Sequence, residues 1–125
     1  MGKRDIEFFL TKCKIAANFK FITVWKQDSK ETIAALGYTM DDVKEEILNL
    51  ELIDYVEGPG VDRDGYGGDF YIFGKIIHNR EIYIKVKVKS LNDEGNRQLN
   101  LLCMSFHFAK CPLTYPFKQT AKTRN

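Results

Sequence analysis

Tyr83, Lys85, Lys87 and Lys89 alternate with Ile82, Ile84, Val86 and Val88 in the stretch IYIKVKVK, without a slip. Successive side chains of a strand point to opposite faces. The spacing therefore puts a phenol and a row of ammonium groups on one side and aliphatic groups on the other. Further along, LLCMSFHF assigns Leu102, Met104, Phe106 and Phe108 to an apolar face, and Leu101, Cys103, Ser105 and His107 to the opposite one. If both apolar sets meet the same core, Tyr83, Lys85 and Lys87 share a surface with Ser105 and His107. In the preceding strand, DFYIFGKII, burying Phe70, Ile72 and Ile76 leaves Tyr71 and Lys75 on the polar face, although Phe73 interrupts that pattern.

Lysines two residues apart on a strand stand roughly 7 Å apart. That is close to the phosphate spacing of a nucleic-acid strand, and a polyanion relieves their mutual repulsion. Aromatic rings beside them can stack on unpaired bases. The pattern alone fits equally well a solvated face whose lysines guard against edge pairing. A phenol and an imidazole on the same surface add chemistry. RNA is cut when its 2′-hydroxyl attacks the adjacent phosphate, which needs a base, an acid, and cations for the phosphorane. An imidazole titrates near neutrality, which suits His107. Among lysines, Tyr83 can have a lowered pKa or simply hydrogen-bond the phosphate. Lys85 and Lys87 can hold phosphate charge.

These strands need a scaffold. Residues 5–18 read as a helix with Ile6, Phe9, Leu10, Cys13 and Ala17 on one stripe. Residues 20–26 are β-prone, and a short helix over about 30–36 stops at Gly37. Thr39 is placed to cap the amide three residues on, opening a helix with Val43, Ile47, Leu48 and Leu50 buried. Residues 57–69, with five glycines, one proline and four acidic residues, read as a loop that matches no phosphate-binding or calcium-binding pattern. Three strands follow over about 69–77, 81–90 and 99–108. They are joined by His78-Asn79-Arg80 and by a turn containing Glu94-Gly95-Asn96, so they pair antiparallel. The expected architecture is α+β, with N-terminal helices packed on one face of a mostly antiparallel sheet. It forms one domain over residues 5–117, followed by a basic flexible tail over 118–125.

The chain has 125 residues and is 44% hydrophobic, enough for one core. No apolar run approaches the roughly 20 residues of a membrane span, and the charged N-terminus lacks a signal-peptide core, so a cytoplasmic location without membrane contact is expected. The three cysteines, Cys13, Cys103 and Cys111, form no metal-ligand pattern and are expected to be buried or half-buried thiols. No metal or cofactor is implied. The net charge of +2 divides into +4 over residues 1–26, −8 over 27–62 and +6 over 63–125. That asymmetry hints at a polyanionic partner.

The blocks GDFYIFGKII, EIYIKVKVK and CMSFHFAKCPLTYPF together resemble the motility quorum-sensing regulator (MqsR) family of bacterial toxins. The likeness spans about residues 5–117. It implies a RelE-like α+β fold and metal-independent cleavage of messenger RNA. It also implies a cognate antitoxin as partner, in a type II toxin–antitoxin system. Tyr83 matches a family tyrosine proposed to act in catalysis, and Lys85 matches the lysine two positions later. His107 falls where members place a basic residue. The expected catalytic set is then Tyr83, Lys85 and His107, with Tyr71, Lys75, Arg80, Lys87, Lys89 and Tyr115 as RNA contacts. Ribosome association belongs to the same expectation. The competing reading is a nucleic-acid-binding module, or a degenerate toxin, that does not cleave.

Overall fold

The computed structural model describes residues 2–62, 68–93 and 96–118. Along the chain run α1 (Lys3–Ala17), β1 (Lys20–Thr23), α2 (Gln27–Leu36), α3 (Met40–Leu48) and a 3-10 turn (Leu52–Asp54). Then come β2 (Tyr55–Val61), β3 (Asp69–Ile77), β4 (Arg80–Asp93) and β5 (Asn96–Phe108). The five strands form one sheet in the order β1-β5-β4-β3-β2. Every pairing is antiparallel except β1 with β5. The architecture is α+β, as the sequence led us to expect.

The helices form where local chemistry favours them. The Thr39 hydroxyl accepts the Asp42 amide at 3.2 Å, and the Asp42 carboxylate accepts the Thr39 amide at 2.8 Å. This reciprocal cap starts α3. Gly37 ends α2 at φ 70°, a conformation costly for other residues. The stripe Ile6, Phe9, Leu10 and Cys13 of α1 packs on Phe73, Ile84 and Val86, and α3 adds Val43 and Ile47 to the same core. Among the described residues no helix is long and apolar enough to cross a membrane.

Four features depart from the sequence reading. First, Tyr55–Val61 is an edge strand rather than loop. Its register against β3 shifts twice, between Tyr55 and Glu57 and again between Glu57 and Gly60. An edge tolerates such irregularity because one side of the strand has no ladder to maintain. The remainder of that glycine-rich segment, residues 63–67, lies outside the described residues, as do Glu94, Gly95 and the tail beyond Lys118.

Second, the turn between β3 and β4 needs only two residues, with Ile77 opposite Arg80. His78 and Asn79 both take positive φ, 50° and 65°, the signature of the tight turn that matches strand twist. Third, β5 carries a bulge. Lys85 faces Ser105 but Val86 faces Cys103, leaving Met104 as the extra residue. The bulge reverses the facing of everything before it. Leu101 and Cys103 therefore belong to the helix-side core and Met104 does not, the opposite of simple alternation.

Fourth, α2 begins at Gln27 and completes the edge of β5. Strand β1 ends at Thr23, opposite Cys103. Beyond it, the Phe106 amide donates to Ser29 Oγ at 3.0 Å and the Phe108 amide to Thr32 Oγ1 at 3.1 Å. Two buried hydroxyls thus take the place of a strand partner. They also fix the first turn of α2 beside His107.

Candidate active site

On the sheet face away from α1 and α3, a cavity of about 570 Å³ opens beside the β5 bulge. Tyr83, Lys85, Ser105 and His107 form its floor, and Met104, re-aimed by the bulge, adds an apolar wall. Val24, Lys26 and Asp28 close one side, Asp62 another, and the segment from Lys110 to Leu113 a third. Tyr83, Lys85 and His107, which the sequence placed on one surface, therefore line one cavity.

Cross-strand pairing makes this geometry. Tyr83 lies directly opposite His107, and Lys85 opposite Ser105. The phenol and imidazole rings stack with centroids 4.8 Å apart and planes 11° from parallel. Nδ1 of His107 is 2.9 Å from the Phe108 carbonyl. A carbonyl can only accept, so Nδ1 carries the proton and Nε2 is left for chemistry. Nε2 lies 3.8 Å from Asp28 Oδ2, which is itself 3.4 Å from Lys110 Nζ. Burial tends to raise the Asp28 carboxyl. Protonated His107, the Ser29 amide and Lys110 outweigh it and hold the group below the usual carboxylate range.

Of the two readings of Tyr83, a lowered pKa or a hydrogen bond to phosphate, the first does not hold. The Tyr83 pKa is raised, first by burial and then by the charges of Glu57 and Asp62. The phenol is a neutral donor near pH 7, not a phenolate. Lys85 Nζ lies 2.7 Å from Asp62 Oδ1 and 4.3 Å from the centre of the Phe70 ring. Lys87 is fully buried, with its Nζ 3.3 Å from Asp62 Oδ2, so it is not an exposed contact. Lys89 stands opposite Asn100, off the cavity wall.

Other expected RNA contacts lie elsewhere. Tyr71 stacks on Phe9 of α1, with centroids 3.8 Å apart. Lys75 donates to Glu46 of α3 at 3.2 Å. Both therefore face the helices, because Phe73 and Ile77, not Phe70 and Ile76, set the buried side of β3. Arg80 lies over the Phe108 ring, 3.6 Å from its centre, on that same side. Tyr115 crosses the open face, but its hydroxyl donates to Glu81 Oε2 at 2.6 Å while the Leu113 amide donates to Oε1 at 3.0 Å. That crossing requires Gly74, where any Cβ would run into Tyr115 and Leu113.

The sequence reading missed Asp28, Asp62 and Lys110. The first two lie in the acidic segment 27–62, to which the sequence reading gave no site role. Cys111, expected at least half-buried, is exposed and lines the cavity. Among the described residues no cluster of three or more His, Cys, Asp or Glu side chains could hold a metal ion.

The fold and cavity together define an α+β protein with a histidine–tyrosine pair set among lysines on one face of the sheet. Compared with known proteins, the chain matches no family model, no curated protein and no solved structure.

Proposed function

We propose that this chain is an endoribonuclease, acting without metal on single-stranded messenger RNA, and the toxin of a type II toxin–antitoxin pair. The supporting observation is the stacked Tyr83–His107 pair, with Lys85 beside it, in one cavity. The sequence resemblance to the MqsR family points the same way and supplies the toxin and antitoxin part of the reading.

The chemistry follows from the His107 tautomer and from the Tyr83 phenol. Neutral Nε2 of His107 takes the proton of the 2′-hydroxyl. The O2′–P bond forms, and the phosphorane charge falls on Lys85 and Lys110. The P–O5′ bond breaks as the Tyr83 phenol gives its proton to O5′. The products are a 2′,3′-cyclic phosphate and a 5′-hydroxyl. Asp28 steadies the imidazolium formed in the first transfer. Passage of the proton from His107 to the Tyr83 phenolate restores the starting state.

Purified protein and end-labelled RNA in the presence of EDTA test this directly. A 2′,3′-cyclic phosphate product is expected, as is growth arrest on expression in bacteria, relieved by the neighbouring gene product. RNA binding that weakens with salt and yields no product would instead favour a non-catalytic binding module.

A further inference from the structure

Asp62 is the observation that the mechanism does not use. Its carboxylate reaches two ammonium groups of β4 at once, Lys85 at 2.7 Å and Lys87 at 3.3 Å. The two lysines sit on the same face, two positions apart. Lys87 is wholly buried, and a buried ammonium demands an anion. Asp62 also lines the cavity, so it stands between the open space and Lys87. Its Oδ2 is buried and has no hydrogen-bond donor among the described residues, although it is in ion-pair range of Lys87. The Oδ2 contact to Lys87 is thus one of charge, longer than the hydrogen bond that Lys85 gives Oδ1. A phosphodiester, likewise an anion that only accepts, can take the carboxylate's place between the two ammonium groups.

The position fits a nucleic-acid strand. Tyr83, Lys85 and Lys87 follow one another at about 7 Å along β4, near the spacing of successive phosphates. If one phosphate lies over Tyr83 and His107, the next falls at Lys85 and Lys87. We propose that Lys87, together with Lys85, which is shared with the cleaved phosphate, forms a second phosphate site for the adjacent phosphodiester, and that Asp62 is its resident anion. The site rests on the reading that this cavity takes a nucleic-acid strand; it does not require that the strand be cut. Asp62 then sets affinity: an incoming strand must displace a carboxylate already paired with both lysines.

Binding of a short single-stranded 2′-deoxyoligonucleotide, which lacks the attacking hydroxyl, tests the site apart from cleavage. Asp62→Asn keeps the shape of the side chain and removes its charge. It is expected to bind the oligonucleotide at least about tenfold more tightly than the unchanged protein, with a steeper dependence on salt. Asp69→Asn, which removes an acid of β3 outside the cavity, is expected to change binding little. Adding Lys87→Met to Asp62→Asn should abolish the gain. A folded Asp62→Asn protein that binds no more tightly would overturn the proposal, as would a gain that survives loss of Lys87.

A purely structural ion pair would lower thermal stability in Asp62→Asn without raising affinity. Should Asp62→Asn not fold, the unchanged protein still gives an answer. The carboxylate carbon resonance of Asp62 is expected to shift as oligonucleotide saturates the site, and a resonance that stays put overturns the proposal. Tighter binding with no cleavage of RNA by any form would leave this site standing and remove the nuclease reading. Cleavage with no gain in affinity would do the reverse.

Discussion

In the proposed reaction, His107 and Tyr83 divide the proton transfers as their surroundings dictate. The Phe108 carbonyl holds the proton on Nδ1 of His107, and burial keeps the phenol neutral. His107→Ala is expected to lower RNA cleavage by at least about tenfold, the low end of what a positioned base contributes. Lys85→Ala is expected to do the same through lost charge stabilisation. Unchanged rates in both variants would remove these residues from the mechanism. The thiols offer an independent check at this scale. Burial pushes Cys13 and Cys103 up to about 12, whereas Cys111 is exposed. Iodoacetamide should therefore label Cys111 alone in the folded protein, as read by mass spectrometry of peptides. Labelling of Cys103 at a comparable rate would contradict the core described here. Strict alternation in IYIKVKVK made Tyr83 and Lys85 legible from sequence. Asp28 and Asp62 were not, because nothing local in an acidic residue reveals a partner some eighty or twenty-odd positions away.

At the scale of elements, α2 is held by two hydroxyls doing the work of a strand. Ser29→Ala strands the buried Phe106 amide and is expected to cost about 1–3 kcal/mol of unfolding free energy, measured by urea titration. Thr39→Ala removes the α3 cap and is expected to cost about 1 kcal/mol. A loss at Ser29 smaller than that at Thr39 would mean that α2 is anchored otherwise. The long helices and the three main strands were readable because their periodicity is strong. Strand β2 was not, because Gly58, Pro59 and Gly60 carry loop chemistry that only an irregular edge can absorb. The β5 bulge was invisible as well: Met104 looks like any other apolar residue in LLCMSFHF. Its effect was to invert the facing of Leu101, Leu102 and Cys103 while leaving His107 where alternation had put it.

Across the whole molecule, the charge division of the sequence is partly cancelled by folding. Asp28 approaches His107 and Lys110, Glu46 meets Lys75, and Asp62 meets Lys85 and Lys87. The acidic middle segment therefore supplies counter-charges to the basic C-terminal half, and net charge by segment overstates the field offered to a polyanion. The core also has an alkaline limit. Cys13 and Cys103 are held near 12 against an ordinary 9.0, and Tyr38 near 12 against 10.0, in each case first by burial. The fold keeps these groups neutral, so their contribution is complete below pH 9. It is lost as pH rises toward 12, because the unfolded chain ionises first. The thermal midpoint should accordingly fall steadily from pH 9 upward. A flat profile there would mean that these groups are solvated in the fold.

The central claim is that a nucleic-acid strand enters the cavity built on Tyr83 and His107. The chain has two histidines, His78 in the β3–β4 turn and His107 in the cavity, so their imidazole proton signals can be followed separately by NMR. On titration with a single-stranded 2′-deoxyoligonucleotide, the His107 signals are expected to move to saturation while those of His78 stay fixed. Movement confined to His78, or no movement of either ring at concentrations where binding is otherwise detected, would contradict the account.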